Sequence, residues 1–326
     1  MMKKFRVLSD LHVDYNDSHP IEIPADKQDV FTILCGDTSG DPRITIEWVK
    51  KNLKCGVLCS GNHLPYNDQI KTIQDQRVQL AEAFPMDSDI TYLDCETNVF
   101  SKEVDGILFI GTCMYSNMRI SGQYNQNGDI NLNKMISHRH MNDYRWGIKE
   151  LKYDFGTDNE PTRQHITPAD YVEWFNNAFK KIDQLLMDNE NSQNPKPVVL
   201  FTHYPLVRDV VDHSFYVDKD NLASYGNDMK FWIKGHRSIR CYCCGHAHDV
   251  QKKFQNFVIK RKDGSSCRVV SNTRGYVSRG HDFDFSIDCY VDTETWKVSK
   301  PRKTKKQKED DQKKADEMFK NLAWFI

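Results

Sequence analysis

The sequence predicts a layered α/β fold, and three observations carry that prediction. Five apolar, β-branched runs, Phe5 to Leu8, Val30 to Cys35, Gly56 to Cys59, Val198 to Thr202 and Ile239 to Cys244, each stop just short of residues with chemistry in their side chains. Helix-like segments separate them. At 326 residues the chain can bury a sizeable core, and one large domain accounts for it. In layered α/β folds the loops leaving the carboxyl ends of strands gather on one edge, so motifs far apart in sequence are expected to meet there.

Taken in order, the first run follows Met1-Met2-Lys3-Lys4 and leads into Asp10-Leu11-His12, which leaves no room for the apolar stretch of a signal peptide. The second ends at Gly36-Asp37, where the missing side chain lets the backbone come close. Arg43 to Leu53 reads as a helix with Ile44, Trp48 and Val49 on one side, and the third run then delivers Gly61-Asn62-His63. Asp68 to Phe84 is a second candidate helix and Ile107 to Gly111 a further strand. Residues 113–165 break this rhythm: they are rich in Asn, carry Gly122, Gly128, Gly147 and Gly156, and show little periodic apolar character. They are expected to form a long loop or cap beside the site. The clearest helix is Pro168 to Met187, capped by Thr167, with Pro168 first, Asp170 three after the cap, and Val172, Phe175, Phe179, Ile182 and Leu186 as its apolar stripe. The last two runs deliver His203 and Gly245-His246-Ala247-His248. After Trp296 the composition turns basic, so residues 1–299 are expected to form one domain and residues 300–326 a charged tail whose lysine run is by default a solvated linker.

Composition narrows the function classes. With 45 basic and 46 acidic residues the formal charge is -1, so no broad basic field attracts nucleic acid or an anionic membrane. No stretch reaches membrane-spanning length, and ten irregularly spaced cysteines without a secretory signal suggest reduced thiols in the cytoplasm. Cys241-Tyr242-Cys243-Cys244 resembles a thiolate cluster. Strand alternation would instead send Cys241 and Cys243 to one face and Cys244 to the other, as small buried hydrophobes.

The chemistry lies in the five segments together. A two-metal site needs an anionic oxygen to bridge the cations and neutral N or O donors to complete each shell, and Asp10-Leu11-His12, Gly36-Asp37, Gly61-Asn62-His63, His203 and Gly245-His246-Ala247-His248 supply that inventory. Asp10 and His12 straddle one residue and so project to the same side, while Asp37 follows a glycine and can bridge. A lone Asp-x-His or Gly-His-x-His is a weak signal. Five such segments in order, each after a strand-like run, are a specific one.

This set resembles the calcineurin-like metallophosphoesterase superfamily, whose members carry D-x-H, G-D, G-N-H, H and G-H-x-H in this order, over roughly residues 5 to 290. The resemblance implies a four-layer αββα fold: a sandwich of two β-sheets flanked by helices. It also implies two divalent metals bridged by an Asp and a hydroxide, and hydrolysis of phosphate mono- or diesters. By position, Asp10, His12, Asp37 and His248 resemble the first-metal ligands, and Asp37, Asn62, His203 and His246 the second. His63 matches the catalytic histidine, the general acid for the leaving group, with Asn62 beside it. Two positions depart: the family commonly places an acid three residues after the bridging Asp and another directly after G-N-H, where this chain has Gly40 and Leu64. Asp41 can substitute for the first, although an N-cap ahead of Pro42 is the favoured role.

Met141-Asn142-Asp143-Tyr144-Arg145 and Ser271-Asn272-Thr273-Arg274-Gly275-Tyr276 resemble segments of small bacterial-type members. They make Tyr144, Arg145 and Arg274 the candidate substrate contacts, against the alternative of surface or anchoring arginines. His138 and His140 lie in the expected cap. The expected activity is therefore that of a cytoplasmic phosphoester hydrolase needing two divalent ions, drawn from Mn, Fe, Zn, Co or Ni. A phosphodiesterase acting on a small or cyclic nucleotide stands ahead of a phosphomonoesterase or protein phosphatase. The alternatives are a nuclease and a non-catalytic scaffold. The expected partner is a phosphate-ester substrate, with nucleic acid less favoured and no membrane.

Overall fold

A computed structural model describes residues 1–16, 19–64, 66, 72–120, 142–152, 162–215, 219–279 and 284–301. The first sheet has six strands: β1 (Lys4–Leu8), β2 (Thr32–Cys35), β3 (Gly56–Cys59) and β4 (Ile90–Tyr92) run parallel, and β13 (Tyr290–Asp292) and β14 (Val298–Ser299) extend it antiparallel beyond β1. The second is built alike. Its parallel core is β6 (Ile107–Thr112), β9 (Val198–Thr202), β10 (Ile239–Cys244) and β12 (Ser266–Ser271), with β5 (Ser101–Val104) and β11 (Asn256–Lys260) as antiparallel edges. Parallel strands buried on both faces need apolar residues at every position, which is why the five runs alternate so little.

Three apolar layers result. Phe5, Val7, Ile33, Cys35, Val57, Cys59, Phe109, Val199, Phe201, Cys241, Cys243, Cys289 and Val291 fill the space between the sheets. The opposite face of the first sheet, with Leu8, Leu34 and Leu58, meets α1 (Pro42–Asn52) through Trp48 and Val49 and α2 (Ile73–Ala83) through Leu80. The opposite face of the second sheet, with Leu200, Tyr242, Cys244, Cys267 and Val269, meets Phe175, Ala178, Ile182 and Leu186. Those four belong to the long helix at Pro168–Glu190. The four-layer order of helix, sheet, sheet and helix is the one expected, and the β10 cysteines divide between faces as alternation requires.

The capping box of the long helix is present as expected, with Thr167 and Asp170 exchanging hydrogen bonds. The second helix is shorter than expected, because Thr72 and Asp75 form a capping box that starts it at Ile73; residues 67–71 lie outside the described residues. Within the 113–165 stretch some backbone is regular: α3 (Asn142–Trp146) is followed by the antiparallel pair β7 (Ile148–Lys152) and β8 (Thr162–His165). Residues 121–141, with His138 and His140, residues 153–161 and the tail from 302 lie outside the described residues. Among those described, no helix is long and apolar enough to cross a membrane.

Candidate metal centre

The carboxyl ends of β1, β2, β3, β9, β10 and β12 open on one edge, and main-chain hydrogen bonds tie the loops together past the strands. Asp10 N donates to Gly36 O, His12 N to Asp37 O, Ser9 N to Asn272 O, Gly275 N to Asp10 O, and Gly245 N to His203 O, all at 2.9–3.2 Å. Such lacing lets the backbone hold unfavourable torsions. Asp10, His12, Asp37 and His246 all lie in the left-handed region, with φ of 54°, 44°, 48° and 61°. Each such residue costs on the order of 1–3 kcal/mol, a strain that clusters at functional sites because the surrounding contacts over-determine it. Two motif glycines are there for clearance: a Cβ on Gly61 would sit 1.9 Å from Asp37 Oδ1, and one on Gly245 would sit 2.0 Å from Ser9 Oγ and 2.6 Å from Asp10 Oδ2.

One corner gathers Asp10, His12 and His248, all buried. His248 Nε2 lies 3.0 Å from Asp10 Oδ1 and 3.3 Å from His12 Nε2, and His12 Nε2 is 4.0 Å from Asp10 Oδ1. The Asp10 carboxylate is pinned by the His246 main-chain N–H at 3.0 and 3.1 Å and by the Ser9 hydroxyl at 2.5 Å. Burial holds the His12 imidazole well below its ordinary pKa, and His63 adds to the effect. Its ring is therefore neutral, the form that ligates a cation.

The other corner gathers Asp37, Asn62, His203 and His246. His203 Nε2 lies 2.8 Å from Asn62 Oδ1 and 3.1 Å from Asp37 Oδ2, while its Nδ1 lies 2.9 Å from Cys35 O. Burial alone would lower the His203 pKa, but the Asp37 carboxylate outweighs it and holds the group at about 9. The same pairing keeps Asp37 well below the carboxylate range despite its burial. His246 stands further off: its ring centroid is 5.0 Å from that of His203 and 4.2 Å from that of Tyr204. Burial depresses its pKa well below the ordinary value, and its buried Nε2 has no hydrogen-bond partner among the described residues.

His63 sits at the mouth with its side chain 12% exposed. Its main-chain N–H donates to Asp37 Oδ1 at 3.0 Å, and its Nε2 lies 3.9 Å from Asp37 Oδ2 and 3.0 Å from Tyr276 Oη. Burial lowers its pKa, with Asp37 and Asp14 pulling the other way. Tyr276 in turn stacks on His12, with centroids 4.6 Å apart and planes at 22°. Gly40, Leu64 and Asp41 lie in other roles. Leu64 is buried in the apolar layer against the first sheet, Gly40 N donates to Asp14 Oδ2, and Asp41 is the N-cap of α1, accepting from Arg43 N at 2.8 Å. Asp41 thus serves the helix.

The candidate substrate residues occupy different settings. Arg274 is buried and donates to the main-chain oxygens of Leu11, at 3.3 Å, and His19, an anchoring geometry. Tyr144 packs with its ring 5.3 Å from that of Tyr171, and Arg145 is exposed on α3. Sequence reasoning passed over Asp143 in the same short helix. It is 1% exposed, accepts from Asn62 Nδ2 at 2.7 Å and from Tyr204 Oη at 3.2 Å, and burial raises its pKa to about 6. A carboxyl beside an aromatic pair inside an otherwise irregular segment was its one signal.

These donors fit divalent cations. Asp10–His12–His248, His12–Asp37–His63 and Asp10–Asp37–His203 each bring their ligand atoms within 4.8 Å of one another, and all are buried. Carboxylate, imidazole and amide oxygen without thiolate suit borderline divalent metals. Asp10, Asp37 and His12 each belong to two of the three groups.

No protein-family model matches this sequence, and no curated protein matches it. Among solved structures, phosphopantetheinyl hydrolase from Mycobacterium tuberculosis is similar with a TM-score of 0.55, at 15% identity over 84% of this chain and 90% of that one. NAD nucleotidase from Haemophilus influenzae gives a TM-score of 0.36, at 11% identity over 91% of this chain and 49% of that one, too low to bear on the fold. The first likeness shows a shared fold, the two-sheet sandwich that the resemblance implied.

Proposed function

We propose that this chain is a calcineurin-like metallophosphoesterase that hydrolyses phosphate esters with two divalent ions held by Asp10, His12, Asp37, Asn62, His203, His246 and His248. The observation that carries the proposal is that two of the three buried ligand groups share Asp37, which joins His12 and His63 in one and Asp10 and His203 in the other, so that a single carboxylate is within reach of residues of both corners. When bound, such ions lower the pKa of a coordinated water and offset charge on the phosphoryl oxygens. In this reading the chain's own residues do the rest. His63 donates the proton to the departing alkoxide, and Tyr276, at 3.0 Å, keeps the ring aimed at the mouth in place of the missing acids. The strained backbone at Asp10, His12, Asp37 and His246 fixes the donors before substrate arrives.

A phosphodiester of a small or cyclic nucleotide is the favoured substrate. The rings of Tyr66 and Tyr15 lie 4.3 and 5.9 Å from His63, and Tyr15 is 49% exposed, so an aromatic rim is available for a base. The test is a screen of protein loaded in turn with Mn, Fe, Zn, Co or Ni against phosphate mono- and diesters. Because the fold is shared with a phosphopantetheinyl hydrolase, a phosphopantetheinyl ester belongs in that panel. Metal-dependent turnover, highest on a diester, is expected; no turnover of any ester with any metal would refute the proposal.

A further inference from the structure

Asp143 is a buried acid whose named partners, Asn62, Tyr204 and Tyr171, are all neutral. Burying a carboxyl among neutral donors is costly, and packing alone would favour a residue without charge. What a carboxylate offers is an edge that only accepts hydrogen bonds. That edge faces Asn62 Nδ2 at 2.7 Å, and Tyr66 Oη takes up the same amide nitrogen at 3.0 Å. With Nδ2 so engaged, Asn62 Oδ1 points at His203 Nε2, 2.8 Å away, on the cation side. A flipped amide would set its oxygen against the Asp143 carboxylate and its NH2 group against a cation, two repulsions at once. The chain places Asp143 firmly for this purpose. Gly147 N donates to Asp143 O at 3.1 Å and Ile166 N to Gly147 O at 2.9 Å, so α3 is closed against the segment leaving β8.

From this geometry we infer that Asp143 is a positioning residue that locks the Asn62 amide with its carbonyl oxygen toward the metal centre, making the short helix α3 part of the site's support. The inference rests on the proposed metal centre. It is tested by titrating the full chain with Mn2+ and following the electron paramagnetic resonance signal of the free ion, for wild type, Asn62→Ala, Asp143→Ala and Asp143→Asn. Thermal unfolding of each variant without metal is recorded alongside. Asp143→Ala should weaken the same Mn2+ equivalent as Asn62→Ala, on the order of 10- to 100-fold as for other residues that orient metal ligands, and leave the other equivalent unchanged. Asp143→Asn, whose amide accepts either orientation of Asn62, should fall between, and it carries the test if the alanine variant does not fold. Variants that lower the unfolding midpoint yet bind Mn2+ like wild type would overturn the inference and make Asp143 structural. A wild-type protein that takes up no Mn2+ or other divalent ion would instead remove the metal centre itself.

Discussion

The two corners of the site are supported in different ways. Asp10 is held by its own neighbours in the motifs, the Ser9 hydroxyl and the His246 main-chain N–H. Asn62 is held by Asp143, 81 positions away in sequence, and by Tyr66, and Asp143 in turn by Tyr204. The first corner is therefore braced by a main-chain N–H and an adjacent hydroxyl, the second by a side-chain network reaching into the 113–165 stretch. Backbone bracing tolerates side-chain change nearby. A side-chain network fails when any member is removed, because each loss leaves a buried polar group unmatched.

The most damaging test of this contrast is Asp37→Ala. Asp37 is shared by both corners, so its loss should release both divalent ions and abolish turnover, read as metal content and activity on an aryl phosphate ester. A variant that kept one equivalent at Asp10, His12 and His248 would show the corners to be independent. Next in size is His63→Ala, which should slow substrates that expel an alkoxide by on the order of 10² to 10⁴ and barely affect those that expel a stabilised phenolate. Equal losses for both leaving groups would make His63 a ligand or a structural residue.

Gly61→Ala comes third. The new Cβ would press on Asp37 Oδ1 and, at 2.7 Å, on the Asp37 main-chain nitrogen, so the strain should reach the shared carboxylate. Overpacking of this kind costs about 1–3 kcal/mol, expected here as a lowered unfolding midpoint together with weaker metal retention. Arg274→Met should cost about 1–3 kcal/mol of stability through the hydrogen bonds to Leu11 O and His19 O that it removes, with KM unchanged. A raised KM at unaltered stability would return Arg274 to the substrate. The smallest effect is expected from Arg145→Ala: a rise in KM for the preferred diester, with metal content and a minimal aryl ester unaffected. No change in KM would remove α3 from substrate binding.

This contrast also explains what could be read from the sequence. Each metal-site motif follows directly on a strand, so the apolar runs located Asp10, Asp37, His203 and His246 together, and the parallel register of the strands brings them to one edge. The N-cap role of Asp41 was legible for the same reason, since a cap is decided within a few residues. Asp143 and Tyr276 were not. Their partners Asn62 and His63 lie 81 and 213 positions away, and no local periodicity encodes a contact made through tertiary packing. The start of α2 was misplaced because Thr72 and Asp75 are an inconspicuous capping pair in a polar stretch.

The cysteines give the three apolar layers a built-in clock. All ten are free, and nine are buried. Burial pushes the thiols of Cys35, Cys59, Cys113 and Cys243 well above their ordinary pKa and that of Cys289 up to about 11, so the thiolate that alkylating reagents require is scarce in the native state. Cys35, Cys59, Cys241, Cys243 and Cys289 lie between the sheets, Cys113 on the far side of the first, and Cys95, Cys244 and Cys267 on the far side of the second. Half-buried Cys55 supplies the reference rate. Timed alkylation with peptide mass spectrometry would then report, from one unaltered protein, which layer parts first when the molecule opens, and whether bound metal delays the two sheets or only their common edge.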